Sequence, residues 1–129
     1  MIRVFRSLTA ASILLVLATG CGSQLEPAPF SGKTFPVKGI VTYKGKPLTR
    51  GTVRFEPDAG REAEGAINSD GTFTLTTFQP GDGALPGSHR VAVFSPKKKE
   101  IPGRYSNFAL SGIEMEVNEE KAEYAINLK

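Results

Sequence analysis

In seven runs between Val37 and Leu128 the apolar residues return at every second position, and this pattern limits what the chain can fold into more than any other. Successive side chains of a strand point to opposite faces, whereas a helix repeats every 3.6 residues. In VKGIVTY, Val37, Val41 and Tyr43 share one face, and Lys38, Thr42 and Lys44 share the other. In TVRFE, Val53 and Phe55 alternate with Thr52, Arg54 and Glu56. EAEGAIN places Ala63, Gly65 and Ile67 together, and TFTLTT places Phe73 opposite a row of threonines. HRVAVFS sets Val91 and Val93 against Ala92 and Phe94. IEMEV and YAINL complete the series with Ile113, Met115 and Val117, then Tyr124, Ile126 and Leu128. No segment carries a helical stripe.

Turn signals separate these runs. Asp70-Gly71 predicts a two-residue hairpin of type I′, which needs positive φ at both central residues. Lys44-Gly45-Lys46-Pro47 and Pro57-Asp58-Ala59-Gly60 are weaker turn signals. Seven amphipathic strands in about 95 residues predict an all-β fold, an antiparallel two-sheet β-sandwich in which each sheet buries one face. A closed barrel is the alternative.

The same stretches carry a resemblance. VKGIVTYKGKPLTRGTVRFEP followed by INSDGTFTLTT resembles the carboxypeptidase regulatory-like, transthyretin-like sandwiches, with their V-x-G-x-V, G-x-P-L, V-x-F and DG-x-F pattern. The later QPGDGALPG, VAV, IP-x-x-YS and SGI are similar to small lipoproteins abundant in planctomycete bacteria. The resemblance covers almost all of residues 37–128. It implies a transthyretin-like or immunoglobulin-like sandwich and export, and no particular activity.

The N-terminal segment is of another kind. Arg3 and Arg6 precede a 14-residue run without charge, Ser7 to Gly20, and the only cysteine follows as Cys21. A bilayer-spanning helix needs roughly 20 apolar residues, so this run reads as a signal peptide, residues 1–20. LATGC resembles the lipobox of bacterial lipoproteins, with Ala18 where leucine is usual. The resemblance implies acylation of Cys21 and attachment to a membrane through the N-terminal lipid. Cleavage by an ordinary signal peptidase after Ala18 or Gly20 is the alternative. Exported cysteines usually come in pairs, which favours the lipidated reading for a lone one. Two or three acyl chains, at about 0.8 kcal/mol per buried CH₂, would make attachment effectively permanent. The same resemblance implies outer-membrane delivery, because Gly22 stands where aspartate would favour inner-membrane retention in such lipoproteins.

Residues 21–36, CGSQLEPAPFSGKTFP, read as a flexible tether rich in proline, glycine and serine. It would reach about 40 Å extended and about 20 Å as a coil. The domain proper is expected over 37–129. Without Arg3 and Arg6, 14 basic and 13 acidic side chains remain, a balance that asks for no nucleic acid.

Little in the domain points to catalysis. His89 is the only histidine, and acid–base chemistry at neutral pH usually recruits one. The resemblance brings in transthyretin-like enzymes that hydrolyse 5-hydroxyisourate, but those use several histidines and a terminal Tyr-Arg-Gly-Ser; here the last residues are Ile126-Asn127-Leu128-Lys129. His89 is therefore expected to be structural or solvated, and its replacement by Gln to leave the fold intact. The pairs Glu62/Glu64 and Glu114/Glu116 could act across a cleft only at separations of roughly 5 to 9.5 Å, and they read as outer-face residues. Asn68, Asp70 and Asp82 suit Ca²⁺ in type but form no complete ligand loop. No cofactor or metal is expected. Lys97-Lys98-Lys99 reads as a solvated run that also guards against strand pairing; contact with anionic headgroups near the anchor is the alternative.

Two connections exceed what hairpins need, 78–87 and 101–110. Their Phe78, Leu85, Arg104, Tyr105 and Phe108 are the candidate contacts for a partner, an envelope protein or glycan; folding back to cap the open end of the sandwich is the alternative. The expected function is non-enzymatic: structural, adhesive or ligand-binding. A small hydrolase or carbohydrate-binding module is the alternative, although no Trp is present to form a sugar platform.

Overall fold

Each alternating run becomes a strand, and one short strand is added. The computed structural model describes residues 32–129. In chain order these hold β1 (Lys38–Tyr43), β2 (Lys46–Pro47), β3 (Thr52–Pro57), β4 (Ala63–Ala66), β5 (Thr72–Thr74), β6 (Gly87–Phe94), β7 (Glu114–Val117) and β8 (Glu123–Leu128). A single 3₁₀ turn, Gly103–Ser106, lies between β6 and β7.

Two sheets form a β-sandwich. One centres on β1, with β2 and β5 along one side and β8 along the other. The second runs β4-β3-β6-β7. Every ladder is antiparallel except β1–β8, which is parallel from Lys38–Glu123 to Tyr43–Leu128. The exception follows from the route of the chain: β7 ends the second sheet, and a short turn at 118–122 crosses to the first and lays β8 alongside β1.

The sheets also meet along one edge. Glu64 and Thr76 exchange both backbone hydrogen bonds, at 3.0 and 2.9 Å. Gly65 makes this approach feasible, because a Cβ there would collide with the Thr74 carbonyl oxygen. The pair β4–β5 is thus a hairpin whose arms belong to different sheets.

Its turn differs from the expected one. Gly71 has φ +87°, but Asp70 is not at positive φ. The Gly71 N–H bonds the Asn68 carbonyl at 2.9 Å, so Ser69 and Asp70 are the central residues and Gly71 follows in the left-handed region. Asp70 favours this form by accepting the Thr72 N–H (3.0 Å) and hydroxyl (2.6 Å). Positive φ at both central residues occurs instead at Lys44 (52°) and Gly45 (81°), between paired Tyr43 and Lys46. That tight turn creates β2.

The core lies between the sheets. Val37, Val41, Phe73, Leu75, Tyr124, Ile126 and Leu128 from the first meet Val53, Phe55, Ala63, Val91, Val93 and Val117 from the second, all buried. Phe55 is central, with ring centroids 6.4 Å from Phe73, 6.2 Å from Tyr124 and 5.7 Å from His89. Ala92, on the face of β6 opposite Val91 and Val93, is buried too, on a strand flanked by β3 and β7 with the 3₁₀ turn against it.

The sandwich begins before Val37. Phe35 and Ala84 exchange backbone hydrogen bonds at 2.9 and 3.0 Å, and Phe35 packs against the core. Gly83 allows it, since a Cβ there would strike the Phe35 carbonyl. The chain therefore enters at one pole, beside the 77–86 and 118–122 loops. The β1–β2 turn, the β4–β5 turn, the segment after β6 and Lys129 lie at the other.

Candidate functional site

His89 occupies the inward position next to Val91 on β6, so alternation carries it into the core rather than to solvent. It is 1% exposed. Its Nε2–H donates to the Leu85 carbonyl at 2.7 Å, and its Nδ1 has no hydrogen-bond partner. The ring packs on Phe55. His89 is thus a structural core residue, not a solvated one, and it ties the 78–86 loop to β6.

The two long connections are largely folded back. In the first, the Asp82 carboxylate accepts the N–H groups of Thr77 (2.7 Å), Phe78 (3.0 Å) and Gln79 (3.1 Å). Burial pushes its pKa up, but these three donors outweigh burial and leave the pKa below the ordinary aspartate value. The Thr77 hydroxyl donates to the Gly83 carbonyl at 2.7 Å. Leu85 is buried, and half-buried Phe78 lies under the Arg61 guanidinium at 5.8 Å. The loop caps the entry pole.

In the second, Tyr105 is 5% exposed. Its hydroxyl accepts the Lys129 N–H at 2.9 Å, donates to the Lys129 carbonyl at 3.2 Å and accepts from Arg104 Nη2 at 2.9 Å. Burial raises the Tyr105 pKa; the Lys129 N–H, the Arg104 bond and the two positive charges more than reverse that, so it sits below the ordinary tyrosine value. The Arg104 guanidinium also covers the Tyr105 ring at 4.6 Å. This contact clasps the end of β8 with a side chain where a neighbouring strand would otherwise bond.

The five candidate contact residues therefore do not form one surface. Phe78 and Leu85 belong to the entry pole, and Arg104 and Tyr105 to the far pole. Phe108 is half-buried beside a groove lined by Arg90, Ala109, Gly112, Ile113 and Glu114. His89 and Arg104 lie toward opposite ends of the sandwich, so no carboxylate joins them in one concave site. Cys21 lies outside the described residues.

The acidic residues are dispersed as well. Glu64 pairs with Arg54 at 3.3 Å, and Glu114 and Glu116 lie exposed on edge strand β7. Asp70 is at the far pole and Asp82 at the entry pole. Among the described residues no group of three or more His, Cys, Asp or Glu could hold a metal ion.

Two features escape a linear reading of the sequence. One is a polar groove where β4 approaches β5, with Thr52, Arg61, Glu62, Glu64, Thr74 and Thr76 in its lining. The threonine alternation of β5 was visible in the sequence; its juxtaposition with the β4 acids was not. The other is the clustering of basic side chains at the far pole. No family model, curated protein or solved structure matches the chain.

Proposed function

We propose that the chain is an exported, lipid-anchored β-sandwich of the cell envelope, of the carboxypeptidase regulatory-like, transthyretin-like kind, and that it acts by binding rather than catalysis. The observation that carries this reading is the LATGC junction: the sole cysteine closes an uncharged run that is too short to span a bilayer comfortably. Fourteen residues later, at Phe35, the chain enters the sandwich at a single pole. A domain hung from one pole leaves its opposite pole free to meet an envelope protein or glycan. The commitment of His89 to the core supports a binding role, since the one side chain suited to proton transfer at neutral pH is engaged in packing. Gly22 after the cysteine, by the same resemblance to bacterial lipoproteins, supports delivery to the outer membrane.

The test is metabolic labelling of cells with a palmitate analogue. Wild-type protein is expected to take up label and Cys21→Ser to take up none. Equal labelling of the two, or an unlabelled wild type, would overturn the anchor.

A further inference from the structure

The pole opposite the chain's entry holds most of the positive charge. Residues 32–129 contain 14 basic and 12 acidic side chains. Eight of the basic ones lie at this pole, against two of the acidic. Lys44 and Lys46 come from the β1–β2 turn, Arg50 from the next loop, and Lys97, Lys98 and Lys99 from the segment after β6; all six are exposed. Arg104 and Lys129 adjoin them.

This charge is not neutralised locally. The ion pairs among the described residues are Lys38–Glu123, Arg54–Glu64 and Arg90–Glu56, all on strand faces and none at this pole. The two acids of the pole are engaged by their own neighbours, Asp70 by Thr72 and Glu100 by the Ser95 hydroxyl. Gathering unpaired cations on three separate loops sets up a positive potential that draws in polyanions and speeds their encounter.

We infer that this pole is the binding face for a linear acidic polymer, an envelope glycan bearing repeated carboxylate or phosphate groups. The inference rests on the envelope reading above and names the partner class for it. Lysine predominates, and its ammonium is a mobile point charge rather than a bidentate fork. Such a face suits exchange among many equivalent anions, not one shaped pocket. Two observations favour a polymer over a bilayer. The chain enters at the opposite pole, so the anchor would join the domain at the end farthest from this face. Among the described residues the one exposed large apolar side chain is Leu110, in the connection that leads back to β7, and none lies on the three loops that carry the lysines.

The experiment uses the full chain in neutral detergent micelles and measures binding to polygalacturonate, to inorganic polyphosphate, and to vesicles containing phosphatidylglycerol. Binding to at least one polymer is expected at about 50 mM salt, weakening about tenfold or more by about 300 mM as screening shortens its range. Lys97→Glu with Lys98→Glu should weaken it by about tenfold. Lys33→Glu with Arg61→Glu, an equal change of charge at the entry pole, should alter it by less than about twofold. Urea midpoints of both variants establish that each is folded. Absence of polymer binding at low salt, binding to vesicles alone, or equal losses in the two variants would overturn the inference. Palmitate labelling is read separately, so an unlabelled Cys21 would remove the anchor without altering the measured polymer affinity.

Discussion

Replacing Asp82 by Asn isolates the bonds that hold the 77–83 loop over the entry pole. One carboxylate oxygen accepts the Thr77 N–H and the other accepts those of Phe78 and Gln79. The amide keeps one acceptor oxygen, so one or two of the three donors must face an NH₂ group. A hydrogen bond to a charged group contributes about 1.5–3 kcal/mol, and partial exposure of Asp82 reduces that through solvent screening. The expected loss is about 1–2 kcal/mol at pH 7, a sizeable part of the 5–15 kcal/mol that holds a typical domain. The loss should depend on pH in a definite direction. Folding lowers the Asp82 pKa, so the ionised group stabilises the native state above the unfolded value of about 3.9. That contribution disappears as pH falls through the lower folded value. Urea melts at pH 7 and at successive steps below pH 4 should show wild type and Asp82→Asn converging. A loss below about 0.3 kcal/mol at pH 7, or a difference that persists unchanged at the lowest pH, would refute the reasoning.

Two further outcomes test the packing. Phe55→Ala and Phe73→Ala should each cost about 3–5 kcal/mol in urea melts, because both rings are fully buried at the centre of the sandwich; a loss under 1 kcal/mol would mean that the core collapses around the cavity. Gly65→Val should break the Glu64–Thr76 bridge, since its Cβ would meet the Thr74 carbonyl; faster amide exchange at Glu64 and Thr76 is the expected signature.

Most of the fold was legible in the periodicity, because a strand reports its buried face in every second residue. Val53 with Phe55, and Tyr124 with Ile126 and Leu128, point inward as the alternation requires. The hairpin at Asn68–Gly71 was legible in place but not in type: dipeptide preference cannot see that Asp70 bonds Thr72 and so keeps a negative φ. Of the site candidates, Tyr105 and Leu85 fold back, the alternative to a partner surface, and a loop sequence does not show which side chains do so. Tyr105 found its partners 24 residues away at Lys129.

What the sequence by itself determined is local: strands with one apolar face, a charged start and uncharged run before Cys21, and the turns between elements. These rest on interactions between near neighbours, which spacing encodes directly. What the tertiary structure alone decided is the pairing of distant segments: β8 parallel to β1, Phe35 against Ala84, His89 within the core. The charge asymmetry belongs there too. Lys44, Arg50 and Lys97 are spread over more than 50 residues of a nearly balanced chain, and they become one positive pole only because three loops end on the same side of two packed sheets.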